Sequence, residues 1–234
     1  MCHGAYRASH ITLYHHAPPR ASAYLAEPTR GVPIVNGVPH PPREAVHIET
    51  RIVGTDATLW FMEVRTLQKG EWPLWRQLRF DALSDSPDAF RPTLEEEQDQ
   101  SDEWWIDIIE TTIEHPRGGL WIAEVDSVPV GMLFARIDTD HAVVEVGAMW
   151  VHPSVRGRGV GSGLLSAALE WARSRGVRHA ELWVTESNSA AMGLYERYGF
   201  ETTTDNQPLR SGSDSTVRKM ESAIWFHPEH RDAG

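Results

Sequence analysis

Cysteine is nearly absent: Cys2 is the only one in 234 residues, so neither an intrachain disulfide nor a cysteine-based zinc site can be assembled. Lysine is almost as scarce, at two against twenty arginines, a bias that speaks of a GC-rich genome more than of a function. Positive charge is in deficit overall. The 22 Lys and Arg against 33 Asp and Glu give a net charge of −11, the wrong sign for a general nucleic-acid binder, while cationic partners stay open. No apolar run approaches a membrane span, and the first 30 residues contain no apolar signal-peptide core. The expectation is a cytoplasmic protein with neither nucleic-acid nor membrane partners.

Common catalytic signatures are missing too. Gly161-Ser162-Gly163 lacks the flanking spacing of a nucleophile elbow, and His227 and His230 are three apart, not the i, i+4 pair of a zinc protease helix. A phosphate loop of the Walker kind needs a lysine that is not there, and the dinucleotide pattern G-x-G-x-x-G fails at Ser162. Adjacent His15 and His16 have no further ligands in view, so no metal is expected.

What is present suffices for a folded domain. Hydrophobic residues make up 41% and charged ones 24%, enough to bury a sizeable core. The first 61 residues differ from the rest: six of the twelve histidines and seven of the fifteen prolines fall before residue 48, with no sustained 3.6 or 2.0 periodicity. They read as a flexible extension, followed by a domain over residues 62–226 and a short tail over 227–234, with Met62 a second candidate start.

From Met62 the periods are clear. Met62, Val64 and Thr66 alternate with Glu63 and Arg65 as a strand, and Trp72, Trp75, Leu78, Arg79 and Ala82 repeat at helical spacing. Thr93 and Glu96 form a capping box for a second helix, broken near Ser101, that carries Trp105 and Ile109. Three strand-like runs follow, ending in HAVVEVGAMWV, as an antiparallel meander. The chain then alternates helix (159–175), strand (180–185), helix (188–198) and strand (200–204), with a last strand over 215–224 beyond a polar loop. The economical architecture is α/β: a mixed, mostly antiparallel sheet of about seven strands flanked by about four helices.

The most informative stretch is VHPSVRGRGVGSGLL, residues 151–165. A strand ending in a glycine-rich turn at a helix N-terminus presents unpaired N–H groups and the positive end of the helix dipole, an anion site. Glycines at 157, 159 and 161 let the backbone approach a pyrophosphate, and Arg156 and Arg158 can add charge-assisted contacts.

Arg156-x-x-Gly159-x-Gly161 after a valine-rich strand resembles the acyl-CoA signature of the GNAT superfamily of N-acetyltransferases, and NSAAMGLYERYGF resembles that family's second motif at Asn188, Ala191, Leu194, Tyr195, Gly199 and Phe200. The resemblance spans roughly residues 62 to 225. It implies acetyl-CoA as cosubstrate, no metal, and transfer of the acetyl group to a primary amine of a small molecule or peptide. Protein N-terminal or lysine acetylation, or a non-catalytic acyl-CoA-binding module, remain alternatives, and a homodimer is allowed. By the same resemblance Met149, Trp150 and Val151 hold the pantetheine arm, Arg156, Gly157, Arg158, Gly159, Val160 and Gly161 the phosphates, and Asn188 touches the arm.

Acetyl transfer to an amine needs a base for the protonated amine and a proton for the departing thiolate. Glu145 interrupts an apolar strand where the family often carries a base, and a carboxylate half-buried there has a raised pKa. Tyr195 takes the family's general-acid position, although it also lies on the apolar stripe of its helix. Residues 85–114 hold eleven acidic residues and one basic one, Arg91. They suggest an acidic rim for a cationic acceptor, with Trp104, Trp105 and Trp121 as an aromatic wall.

Overall fold

The computed structural model describes residues 50–53, 59–138 and 142–224. The chain divides between Glu44 and Ala45, and all described residues belong to the second unit. His15, His16, His227, His230 and the tail 227–234 lie outside them.

The sheet is built from β1 (Thr50–Val53), β2 (Leu59–Thr66), β3 (Gly118–Val125), β4 (Val128–Asp138), β5 (Val143–Val151), β6 (His179–Thr185), β7 (Glu201–Pro208) and β8 (Thr216–Ala223). Their order is β1-β2-β3-β4-β5-β6-β8-β7. Every neighbouring pair is antiparallel except β5 and β6, which run parallel. The helices are α1 (Trp72–Asp85), α2 (Leu94–Gln98), α3 (Asp102–Glu114), α4 (Val160–Ser174) and α5 (Ser189–Arg197).

The mixed sheet and meander match the expectation, with differences at the edges. Eight strands stand where about seven were expected, because residues 50–53 and 59–61, read from sequence as extension, pair in register, Thr50 opposite Met62 and Val53 opposite Leu59. A four-residue edge strand is too short for alternation to register. Met62 therefore sits within β2 and not at its start. At the other edge β7 runs on to Pro208 instead of ending at Thr204. Its residues are mostly exposed, so nothing selects for an apolar period.

Two cores sandwich the sheet. On one face Met62, Val64, Trp121, Leu133, Ala135, Val144 and Val146 pack under α4 through Leu164, Leu165 and Ala168. On the other, Trp75, Leu78 and Ala82 of α1 and Trp105 and Ile109 of α3 are buried with Leu120, Ile122 and Met132. Gly163 belongs to the first core: a Cβ there would lie 3.0 Å from Met62 Cε and 3.2 Å from Val64 Cγ2, so its bareness lets α4 settle on β2.

Helix starts follow the local chemistry. Thr93 Oγ1 accepts from Glu96 N at 3.2 Å while Glu96 Oε2 accepts from Thr93 N at 2.8 Å, a complete capping box. Ser101 caps α3 through Trp104 N, which explains the break. Replacing Thr93 with Ala is expected to cost about 1 kcal/mol in urea unfolding.

Candidate functional site

The geometry that matters begins in β5. Phe134 pairs with Gly147 and Met132 with Trp150, so Leu133 faces two residues, Ala148 and Met149, across a β-bulge. Ala148 carries it at φ 48, a left-handed conformation that costs a non-glycine residue about 1 kcal/mol or more. Beyond the bulge β5 leaves its parallel neighbour. It pairs with β6 only over Val143–Val146, while β6 continues to Thr185 against β8 alone. A wedge therefore opens with the backbone of Gly147–Val151 on one side, offering main-chain groups to an extended ligand as a strand would.

The glycine loop closes one end of this wedge. Gly157 and Gly159 have φ 75 and 85, values that glycine adopts without steric cost. Gly159 is the N-cap of α4, makes no side-chain cap hydrogen bond, and precedes a first turn without acidic residues. The amides of Val160, Gly161 and Ser162 precede the first intrahelical bond, from Gly163 N to Gly159 O, so they are free to meet an anion together with the helix dipole. Gly161 faces Met149 Cε at 3.0 Å and Leu194 Cδ2 at 3.2 Å from where a Cβ would stand, which brings α4, β5 and α5 together at one point.

Tyr195 reaches that point from α5. It is 8% exposed, and its hydroxyl donates to Met149 Sδ at 3.6 Å, beside the bulge. Burial pushes its pKa up to about 12. Asn188 Oδ1 accepts from Ala191 N at 3.1 Å, so its side chain caps α5.

Glu145 lies on the opposite face of the sheet from Val144 and Val146, in register with Arg136 on β4 and Glu181 on β6. It is buried and ion-paired with Arg136, itself half exposed. Burial raises its pKa; the Arg136 charge and hydrogen bond oppose that, and Glu181 and Asp138 add to it. Glu145 is thus a buried carboxylate with a raised pKa that also has an arginine partner.

The arginines of the loop engage protein groups. Arg156 Nε donates to Val151 O at 2.9 Å and its Nη2 to Asp85. The Arg158 guanidinium stacks 4.0 Å over the Trp60 ring, beside a shallow pocket lined by Met62, Val125, Val155 and Val160. Asp85 also accepts from Trp150 Nε1 at 2.9 Å and from Ser86 Oγ at 2.7 Å. Burial raises the Asp85 carboxyl, but these hydrogen bonds and the Arg156 charge outweigh it and hold the pKa below the ordinary value.

One expectation for the acceptor side is corrected and the other narrowed. Trp105 and Trp121 are fully buried, one in each core, and only Trp104, edge-on to Trp105 at 5.0 Å, is partly exposed, so the three rings form no shared wall. In the acidic segment Asp85 pairs with Arg156, Asp88 with Arg210, Glu97 with Arg79, Asp102 with Arg76, and Glu110 and Glu114 with Lys69, while Glu95, Glu96, Asp99, Glu103 and Asp107 are exposed. Sequence reading missed Asp85 and Arg136. Asp85 is one acidic residue among eleven, and Arg136 becomes visible only through cross-strand register. Among the described residues no cluster suited to a metal ion occurs, and no helix is long and apolar enough to cross a membrane.

Residues 72–200 match the model of the Acetyltransferase (GNAT) family. An uncharacterized N-acetyltransferase of Methanocaldococcus jannaschii is 39% identical over 90 residues, covering 36% of this chain and 39% of the relative. A mycothiol acetyltransferase of Thermobispora bispora is 32% identical over 145 residues, covering 59% of this chain and 46% of the relative. The chain thus spans less than half the length of these curated relatives. In fold it is similar to a Salmonella typhimurium protein assigned as an acetyltransferase and solved with acetyl-CoA, at TM-score 0.58 and 20% identity, covering 74% of this chain and 99% of that one.

Proposed function

The chain belongs to the acetyltransferase (GNAT) family, and from that premise we propose that it transfers an acetyl group from acetyl-CoA to a primary amine. One observation carries the reading: the uncapped start of α4, the splayed edge of β5 and the Tyr195 hydroxyl meet beside the Ala148 bulge. Each supplies a different requirement. The amides of Val160, Gly161 and Ser162 with the Gly157 and Gly159 turn suit a pyrophosphate. The backbone of Met149, Trp150 and Val151 suits the amides of a pantetheine arm, and Asn188, the N-cap of α5 just beyond the end of β6, is read as touching it. A bound thioester supplies an activated acyl group, and the residues around it must then manage protons.

Tyr195, kept protonated by burial, is placed to give a proton at the wedge. Glu145, on the face that α1 and α3 cover, is the group to take one from an acceptor amine, directly or through water. Its Arg136 partner holds that carboxylate in one orientation. The acceptor is read as an amine on a small molecule, the class to which the relatives named mycothiol acetyltransferase point. A protein N-terminus or lysine is the second reading.

The test is release of coenzyme A across a panel of amines, alongside a thermal shift with acetyl-CoA. The expected result is a raised Tm and turnover with some primary amine. Glu145→Gln should then lower kcat by ~10²-fold or more. The active form of Glu145 is the carboxylate, so its contribution falls as pH drops through its raised pKa; with an acceptor of low amine pKa, that acid limb should vanish in the variant. Binding without turnover on any amine would instead establish a non-catalytic acyl-CoA module.

A further inference from the structure

We infer that Asp85, outside the glycine loop and 71 residues from Arg156 in sequence, is the positioning residue that sets the loop for phosphate binding. Its Oδ2 is a hub for Ser86 Oγ, Trp150 Nε1 and Arg156 Nη2. Arg156 in turn holds Val151 O at 2.9 Å. One carboxylate at the end of α1 thereby fixes a ring at the end of β5 and the first residue of the turn that becomes left-handed at Gly157 and Gly159. The direction in which the loop leaves the sheet, and so where its amides point, depends on that contact.

The segment after Asp85 is tied down beyond the wedge as well. Arg210 Nη1 donates to Pro87 O at 3.0 Å and Phe90 O at 2.9 Å, and Thr185 Oγ1, at the end of β6, donates to Asp88 O at 2.8 Å. Residues 85–90 therefore span from the β5 side of the opening to the β6 side. Arg156 is occupied in holding this arrangement, and its contribution to an anion site is made through the loop backbone.

The proposal rests on reading the loop as the phosphate site of a coenzyme A donor, and it makes a prediction of definite sign. An anion that merely stands beside an anion site repels it, so removing Asp85 would tighten binding. A positioning anion does the reverse. Asp85→Asn is expected to weaken coenzyme A binding in calorimetry by roughly tenfold or more, the scale of one lost charge-assisted hydrogen bond, while kcat at saturating acetyl-CoA and the ligand-free Tm stay close to wild type. Arg156→Gln should give a similar loss, and the double variant no more than either alone. Acetyl-pantetheine, which lacks the phosphates, should lose much less in Asp85→Asn than acetyl-CoA does. Unchanged or tighter coenzyme A binding in Asp85→Asn, or additive losses in the double variant, overturns the assignment. Wild-type protein that binds no coenzyme A overturns the donor reading itself, a separate and recognisable failure.

Discussion

Tyr195→Phe is expected to lower kcat by ~10²-fold or more while the affinity for coenzyme A stays within a few-fold. The substitution removes only the hydroxyl. The ring keeps its place in the core, 5.9 Å from Phe200 and tilted against it, and the one hydrogen bond lost is a long contact to the Met149 sulfur, so the Tm should scarcely move. The pH dependence adds a second check. The acid must be protonated to act, and with its pKa pushed up to about 12 by burial Tyr195 holds its proton throughout an ordinary assay range. The wild-type rate should show no alkaline limb from this group, and the variant's profile should be lowered without change of shape. A variant as fast as wild type would assign the proton to water and leave Tyr195 a packing residue.

The largest effect on stability is expected at a different pair. Glu97→Leu should cost about 3–5 kcal/mol in urea unfolding, because it strands a buried guanidinium. Arg79 and Glu97 are 3% and 2% exposed. Arg79 Nε lies 3.0 Å from both Glu97 oxygens and Nη2 lies 2.9 Å from one of them, with the Phe90 ring stacked on the guanidinium at 4.6 Å. The pair joins α1 to α2, while its remaining nitrogen, Nη1, has no hydrogen-bond partner. That imperfection argues for specificity over net stabilisation, so Arg79→Met with Glu97→Leu should recover most of the loss. A single variant as stable as wild type would mean that the buried charge finds water.

The two halves of this protein's chemistry were unequally legible in its sequence. The glycine turn, the helix behind it and the Tyr195 helix announce themselves because each is local: a positive φ demands glycine, a cap demands Thr, Ser or Asn, and an amphipathic stripe repeats within a few residues. The same local character explains what went unseen. Nothing near Asp85 separates it from the other acidic residues around it, since its partners Trp150 and Arg156 lie far along the chain. Trp105 and Trp121 looked available to a ligand for the same reason: spacing shows that a ring lies on an apolar face, and only packing shows what covers it. Edge strands β1 and β7 were missed or shortened because a short or exposed edge need not alternate.

By itself, the sequence determined the mixed sheet, the order of its central elements and the glycine turn ahead of α4, since hydrophobic period and turn chemistry are written over spans of ten or fifteen residues. Only the tertiary structure decided where β5 parts from β6, that Ala148 carries the bulge, that Glu145 faces Arg136, and that Asp85 meets Trp150 and Arg156. Those depend on strand register and on contacts across dozens of residues, where the energy resides in pairs that no local pattern records.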